Sequence, residues 1–215
     1  FFLVLSLKLF SIIPYDLIVK YKFFWLFLTF LLLFLPLILG IRIGGAKSWL
    51  DFGGFRFQPS EAAKISYLIF LAGWFKKNDR ISFKEAWPLW LGTGVCVGLL
   101  VLQRDLGTAL IFYLSFLLIL YFASGQLNQA FWGLILLIIG AGLAYYFFPH
   151  VQIRIHNWLN PWQDPDNSGY QILQSLFALA SGGIVGLGLG AGTPYLIPEA
   201  HTDFVFTVIG EQLGL

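Results

Sequence analysis

The sequence predicts an all-α fold: a polytopic bundle of membrane-spanning helices with a large extracytoplasmic loop. The 215-residue chain is 58% hydrophobic and only 11% charged, whereas a soluble domain carries about 25% charged residues. Several apolar runs are long enough to cross a hydrocarbon core about 30 Å thick as helices. We expect a single transmembrane domain over residues 1–215, truncated at both ends, with the large loop at residues 149–202.

The apolar runs define the expected spans in chain order. Phe1–Ile13 is predicted to be the tail of a truncated span, and Phe23–Ile41 a complete one. A third begins at Pro59 and runs to Phe75, because proline at the first helical position followed by an acid is typical of a helix start. The remaining predicted spans are Trp87–Leu102, Leu106–Phe122, Phe131–Phe148 and a last helix, Pro198–Leu215.

Alternation of these spans assigns the polar segments to two sides. One side holds Pro14–Lys22, Lys76–Glu85 and Ala123–Ala130, with a dense cluster of basic residues and few acids, so we place it in the cytoplasm. The outer side then holds Arg42–Gln58, the Gln103–Asp105 corner and His150–Ile197. The unusual polar sequence therefore faces outward. No basic stripe is suited to tracking nucleic-acid phosphates, so no nucleic-acid partner is expected.

Asp203 is the strongest candidate for a functional residue. It lies in Pro198–Phe204, where ionisable side chains border a run of apolar residues, and a carboxylate at the edge of hydrocarbon is costly. If Pro198 starts a helix, a slanted polar stripe results, because ionisable or hydroxyl side chains recur every four residues at Glu199, Asp203, Thr207 and Glu211. We predict that Asp203 is a catalytic base; the alternative is a structural salt bridge between helices.

Polar residues near other span ends have two interpretations each. Lys64 either faces an internal cavity and meets an acid from another helix, or pairs with Glu61 at i,i+3 and reaches outward. Asp105 either contributes to a site or caps the helix that starts at Leu106. Trp49 either lines a sugar site or anchors in lipid headgroups.

The chain shows no pattern for a dedicated metal or nucleotide site. On a helix, His201 would point away from Glu199 and Asp203, so no transition-metal site is expected. The one cofactor that the pattern allows is a loosely held divalent cation, Mg²⁺ or Mn²⁺, between carboxylates and a substrate phosphate. The glycines of Ser181–Gly192 lack the βαβ context of a dinucleotide site and favour close backbone packing or a re-entrant turn.

Blocks of residues in a specific order and spacing carry a family resemblance. They are Gly45–Asp51 with Phe57–Lys64, Gln103–Leu110, Gly169–Ser175, and Pro198–Phe204 with Gly210–Gly214. The chain resembles the SEDS family (shape, elongation, division and sporulation), the RodA/FtsW group of bacterial cell-wall polymerases. This resemblance implies a ten-helix fold, of which about seven spans are present here.

The resemblance also implies an activity and partners. Family members polymerise lipid II, the undecaprenyl-pyrophosphate disaccharide-pentapeptide, on the outer face of the cytoplasmic membrane during elongation or division. They usually pair with a class B penicillin-binding transpeptidase. The family's catalytic acid falls on Asp203 and its cavity lysine on Lys64. The predicted substrate-binding side chains are Lys64, Glu61, Arg56, Trp49, Gln58, Asp105, Glu199 and His201.

The expected chemistry is an inverting glycosyl transfer with Asp203 as base and Arg56, Lys64 or a divalent cation at the leaving diphosphate. The alternative function is a lipid II flippase or another transporter, which predicts polar residues across the whole bilayer. The spans Trp87–Leu102, Leu106–Phe122 and Phe131–Phe148 have almost no polar side chains except at their ends. That distribution favours chemistry at one face.

Overall fold

The computed structural model describes residues 20–43, 45–76 and 83–214. The described residues form eight α-helices: α1 Lys22–Leu39, α2 Pro59–Phe75, α3 Phe83–Leu102, α4 Leu106–Ser124, α5 Leu127–Phe147, α6 Pro149–Leu159, α7 Tyr170–Gly182 and α8 Val205–Leu213. Three short strands, β1 Ile41–Ile43, β2 Ala46–Asp51 and β3 Arg56–Phe57, lie between α1 and α2. The predicted partial span Phe1–Ile13 falls outside the described residues.

Five of the predicted spans are confirmed as helices, with small differences at their ends: Phe23–Ile41, Pro59–Phe75, Trp87–Leu102, Leu106–Phe122 and Phe131–Phe148. α1, α4, α5 and the Glu85–Leu102 part of α3 are long and apolar enough to cross a membrane. α2 has 17 residues and the predicted bounds, Pro59 to Phe75. Hydrocarbon offers no hydrogen-bond partners to the backbone, whereas a helix pairs its own N–H and C=O groups. Apolar sequences of this kind therefore form helices in a membrane.

The chain forms two compact units, Phe1–Ile138 and Ile139–Leu215, and the boundary lies within α5. In the first unit, α1 packs against α2 and α3, while α4 packs against α2 and α3. Tyr67 stacks on Phe112 with ring centroids 5.0 Å apart and donates or accepts a 2.7 Å hydrogen bond with Thr93. Thr29 and Ser66 form a second buried hydroxyl pair at 2.9 Å. These polar side chains inside the spans are satisfied by one another.

A small antiparallel sheet in the order β1-β2-β3 follows the end of α1. The sequence predicted only a polar outer segment here, because strands of two to six residues carry little periodic signal. Lys47 on β2 holds the sheet in place: its Nζ donates to the carbonyl of Leu37 at 2.6 Å, near the end of α1 where carbonyls lack helical partners. Its backbone N–H donates to the Gln103 carbonyl at 2.8 Å. The contact confirms that Arg42–Gln58 and Gln103–Asp105 share a side.

In the second unit, a glycine-rich segment lies directly against α8. A Cβ on Gly182, at the end of α7, would overlap the carbonyl oxygen of Gly210 on α8. Leu187 and Gly188 donate their backbone N–H groups to the carbonyls of Glu211 and Gln212, both at 3.0 Å. The glycines therefore permit close backbone packing, which is one of the two roles that the sequence favoured.

The predicted helix start at Pro198 is wrong, because α8 begins only at Val205. Glu199 has a left-handed backbone, φ 54°, and its carbonyl accepts the N–H groups of Thr202 at 3.1 Å and Asp203 at 3.0 Å. This turn replaces the first helical turns and buries Ala200. The predicted stripe is therefore wrong as well: Glu199 and Asp203 lie in the turn, whereas Thr207 and Glu211 lie on α8.

Candidate functional site

The turn that carries Asp203 is fixed to α7. The side-chain amide of Gln171 donates to the Pro198 carbonyl at 3.1 Å. Ile197 and Ala200 are buried and pack with Ala178 of α7. Packing of apolar side chains thus holds the turn against α7.

The turn carries three ionisable side chains, Glu199, His201 and Asp203, and all three are exposed. Glu199 accepts a 3.2 Å hydrogen bond from the Thr202 hydroxyl through Oε2. Within the described part of the chain, the Asp203 carboxylate makes no hydrogen bond or ion pair. The Asp203 backbone is fixed by its hydrogen bond to Glu199, whereas the carboxylate oxygens are accessible to a ligand or a proton donor.

The residues do not form a metal cluster. Across residues 20–43, 45–76 and 83–214, no three His, Cys, Asp or Glu side chains come together in a group that could hold an ion. On a helix His201 would point away from Glu199 and Asp203, but these residues lie instead in a turn. A cation shared between fewer side chains and a substrate phosphate stays a prediction.

Lys64 lies on the open face of α2 together with Glu61, Ile65 and Leu68. Its Nζ is 2.8 Å from the Glu61 carboxylate, and the two side chains are 26% and 57% exposed. The i,i+3 pair, one of the two interpretations, is therefore present. The meeting of Lys64 with Asp203 stays a prediction, because Lys64 belongs to the first unit and Asp203 to the second.

Asp105 joins two elements at the corner between α3 and α4. Its Oδ1 accepts the Thr108 N–H at 3.1 Å, which confirms the predicted helix cap. Its Oδ2 accepts the Gln58 side-chain amide at 3.0 Å, just before α2 begins. The sequence placed both residues among the substrate-binding side chains. The structure brings Gln58 and Asp105 together, and both oxygens of the Asp105 carboxylate accept a hydrogen bond.

The sheet carries two further candidates. Arg56 is exposed and lies 3.5 Å from the Asp51 carboxylate. The Gly53 N–H lowers the pKa of Asp51, and Arg56 lowers it further. Trp49 is partly buried opposite Ile41 in the β1–β2 register, so one part of its ring remains accessible. Arg56 thus offers an accessible cation, and Trp49 an accessible aromatic surface.

Two polar residues that matter to the local structure were not among the predicted site residues. Lys47 anchors the sheet, and Glu211 is a buried carboxylate on α8, only 2% exposed. The sequence gives no distinctive signal for these contacts, because the partners of Lys47 and Glu211 are backbone groups of other elements. Glu211 was placed on the predicted stripe but without a role.

These features define a multi-pass helical membrane protein that presents carboxylates and cations in short polar segments beside its spans. The chain belongs to the family described as Cell cycle protein, the group of FtsW, RodA and SpoVE, whose sequence profile matches residues 2–215. This match confirms the resemblance seen in the sequence blocks.

Relatives and solved structures agree with that membership. The chain is 40% identical over 185 residues to the peptidoglycan glycosyltransferase RodA of Mycobacterium tuberculosis, covering 80% of this chain and 39% of the relative. It is 40% identical over 197 residues to the probable peptidoglycan glycosyltransferase FtsW of Thiomicrospira cyclica, covering 88% of this chain and 50% of the relative. The chain therefore spans half or less of the length of these curated relatives.

Two solved structures share the fold. A chain from a peptidoglycan synthase complex, solved to explain how polymerization and crosslinking are coordinated, matches with a TM-score of 0.74 and 27% identity, covering 99% of this chain and 60% of that chain. The rod shape determining protein RodA of Thermus thermophilus matches with a TM-score of 0.54 and 29% identity, covering 63% of this chain and 46% of that chain. The predicted polytopic helical fold is confirmed.

Proposed function

We propose that the protein is a peptidoglycan glycosyltransferase that polymerises lipid II at the outer face of the bacterial cytoplasmic membrane. The observation that carries the proposal is the Asp203 carboxylate, which lies in the turn that leads into α8 and has no partner among the described residues. The names of the RodA and FtsW relatives support the reaction class. Both substrates are lipid-anchored, so a base beside a membrane span can meet a sugar that stays attached to the bilayer.

In the proposed reaction, Asp203 takes the proton from the 4-hydroxyl of the acceptor sugar. The hydroxyl oxygen forms a bond to the anomeric carbon of the growing chain, while the bond from that carbon to undecaprenyl pyrophosphate breaks. Attack opposite the leaving group inverts the anomeric centre. A positioned general base typically contributes about 10²–10⁴-fold to such a step.

The leaving diphosphate needs positive charge, and Lys64 and Arg56 are the proposed donors of that charge. Lys64 is paired with Glu61 and Arg56 with Asp51, each at a partly or largely exposed position. Exposed pairs of this kind contribute only about 0–1 kcal/mol, so exchanging a carboxylate for a diphosphate costs little. A divalent cation would add charge at the diphosphate, but the described residues provide no cluster for it, and no step depends on it.

The other candidate residues have supporting roles in this proposal. Trp49 offers a ring face to a sugar, and Glu199 and His201 flank the base on the same turn. Gln58 donates a hydrogen bond to Asp105, so we assign the pair to the support of the sheet that carries Trp49 and Arg56.

The distribution of polar groups supports catalysis over transport. Inside the described spans, the Thr29 hydroxyl is hydrogen-bonded to Ser66, and the Tyr67 hydroxyl is hydrogen-bonded to Thr93. Paired hydroxyls that link helices do not supply a polar path for a headgroup, which a flippase needs. As a partner we propose a class B penicillin-binding transpeptidase, because the similar solved chain belongs to a complex that couples polymerization to crosslinking.

The test uses the purified full-length protein with fluorescent lipid II. Asp203→Asn removes the basic oxygen at nearly constant size, so polymer formation should fall by at least about 10²-fold. Ser181→Ala is the matched control, because among the described residues the Ser181 hydroxyl hydrogen-bonds only to the Ala178 carbonyl of its own helix. Polymer made by Asp203→Asn at the parent rate would refute the base assignment.

A further inference from the structure

Glu211 is a buried carboxylate that the proposed reaction does not use. It lies on α8 and is 2% exposed. Burying a carboxylate costs free energy unless hydrogen bonds replace its hydration. Its Oε1 accepts the Thr193 N–H at 2.9 Å and the Thr193 hydroxyl at 3.4 Å. Its Oε2 has no hydrogen-bond partner among the described residues. Such a costly group needs a compensating role.

The chain is built closely around this carboxyl group. A Cβ on Gly192 would overlap Oε2 of Glu211 and lie 2.5 Å from its Cδ. A Cβ on Gly182 would lie 2.7 Å from the Cα of Glu211. Only glycine fits at these two positions without displacement of the carboxyl group or of α8. The Gly192–Thr193 backbone therefore lies directly on the Glu211 side chain.

The segment anchored at Thr193 leads to Asp203. It continues through a 3-10 turn at Pro194–Leu196, then through buried Ile197, and returns to α8 at Val205. Val205 and Glu211 are separated by about 9 Å along the helix axis, at 1.5 Å per residue. The first residue of the loop, Thr193, is therefore hydrogen-bonded to α8 through Glu211, and the loop ends where α8 begins.

We propose that Glu211 is a positioning residue that fixes Asp203 by anchoring Thr193 to α8. The role of Asp203 rests on the proposed function, whereas the anchor itself does not. A displacement of a reacting group by about 1 Å can cost about 10²-fold in rate. Loss of the anchor should therefore lower turnover more than substrate affinity, because Glu211 is buried beneath the loop.

The first test measures lipid II polymerisation by full-length variants as kcat and KM. Glu211→Ala removes the acceptor, so kcat should fall at least about tenfold while KM stays within about twofold. Glu211→Gln keeps an acceptor oxygen for the Thr193 N–H and should restore most of kcat. Gly192→Ala leaves Glu211 in place but displaces its carboxyl group, so it should reproduce the loss. Ser181→Ala should match the parent.

The second test measures the loop without turnover, by amide hydrogen exchange of the same proteins. Glu211→Ala should speed exchange over residues 193–204 and leave α4 unchanged, whereas Glu211→Gln should exchange like the parent. If Glu211→Ala fails to fold, hydrogen exchange of the other two variants tests the anchor. Gly192→Ala should speed exchange over residues 193–204, and Glu211→Gln should exchange like the parent.

The outcomes separate the two claims. If the parent makes no polymer from lipid II but the exchange pattern is as expected, the proposed function is wrong and the anchor stands. Equal kcat in the parent and Glu211→Ala overturns the positioning role. Unchanged exchange over residues 193–204 in the Ala variant also overturns it, as does failure of the Gln variant to restore kcat.

Discussion

Asp105 offers a quantitative test of the corner between α3 and α4, where its side chain also contacts Gln58 just before α2. Replacing it with Ala removes two hydrogen bonds, one from the Thr108 N–H at 3.1 Å and one from the Gln58 amide at 3.0 Å. Loss of a helix cap costs about 0.5–2 kcal/mol. Loss of a hydrogen bond to a charged group costs about 1.5–3 kcal/mol. Asp105 is only partly buried, so water can replace part of each bond, and the low ends apply. We expect a destabilisation of about 2 kcal/mol.

The assay is thermal unfolding of the full-length protein in detergent at one fixed heating rate, followed by tryptophan fluorescence. About 2 kcal/mol corresponds to a loss of about 4–8 °C in Tm for 150–250 residues, and to about half of that for a chain as long as the curated relatives. Asp105→Asn is the matched control, since Asn caps helices about as well as Asp, and it should lose less than half as much. A Tm for Asp105→Ala equal to that of the parent would refute the structural role. So would an equal loss in the Asn variant.

Three further predictions concern separate parts of the chain. Lys64→Ala should strongly reduce lipid II turnover with little change in Tm, whereas Glu61→Ala should leave more activity; equal turnover in the two would reduce Lys64 to a partner of Glu61. Thr29→Val removes a buried hydroxyl contact between α1 and α2 and should cost about 0.6 kcal/mol, at most about 1.7, in an unfolding titration; no change would show that the contact is not stabilising. The Asn167 side chain lowers the pKa of Asp164, so the folded loop favours the charged carboxylate. The stability that this hydrogen bond gives the loop is present above the ordinary pKa of Asp and is lost as pH falls through the lowered pKa. Asn167→Ala should raise that pKa in an NMR titration, and an unchanged pKa would contradict the assigned cause.

The membrane helices could be predicted because length and apolar composition decide them. The start of α2 was also predictable, since Pro59 and Glu61 signal a first helical turn locally. The cap at Asp105 was one of two interpretations for the same reason, because Asp directly before a helix has a local mechanism. Each of these features depends on residues close together in the sequence.

The entry to α8 could not be predicted locally. Pro198 followed by acids is typical of a helix start, but burial of Ile197 and Ala200 against α7 favours a left-handed residue at Glu199 instead. The anchor at Glu211 depends on a backbone N–H contributed from outside its helix, by Thr193. Tertiary packing of this kind leaves no periodic pattern, so the sequence placed Glu211 on a stripe and missed its contact.

The most direct measurement is of lipid II binding and polymer formation in the same Asp203→Asn sample of the full-length protein. If Asp203 is the base, the variant binds lipid II with the parent's affinity and makes at least about 10²-fold less polymer. An affinity loss that matches the rate loss would make Asp203 a binding residue. Normal polymer from a fully bound variant would contradict the account outright.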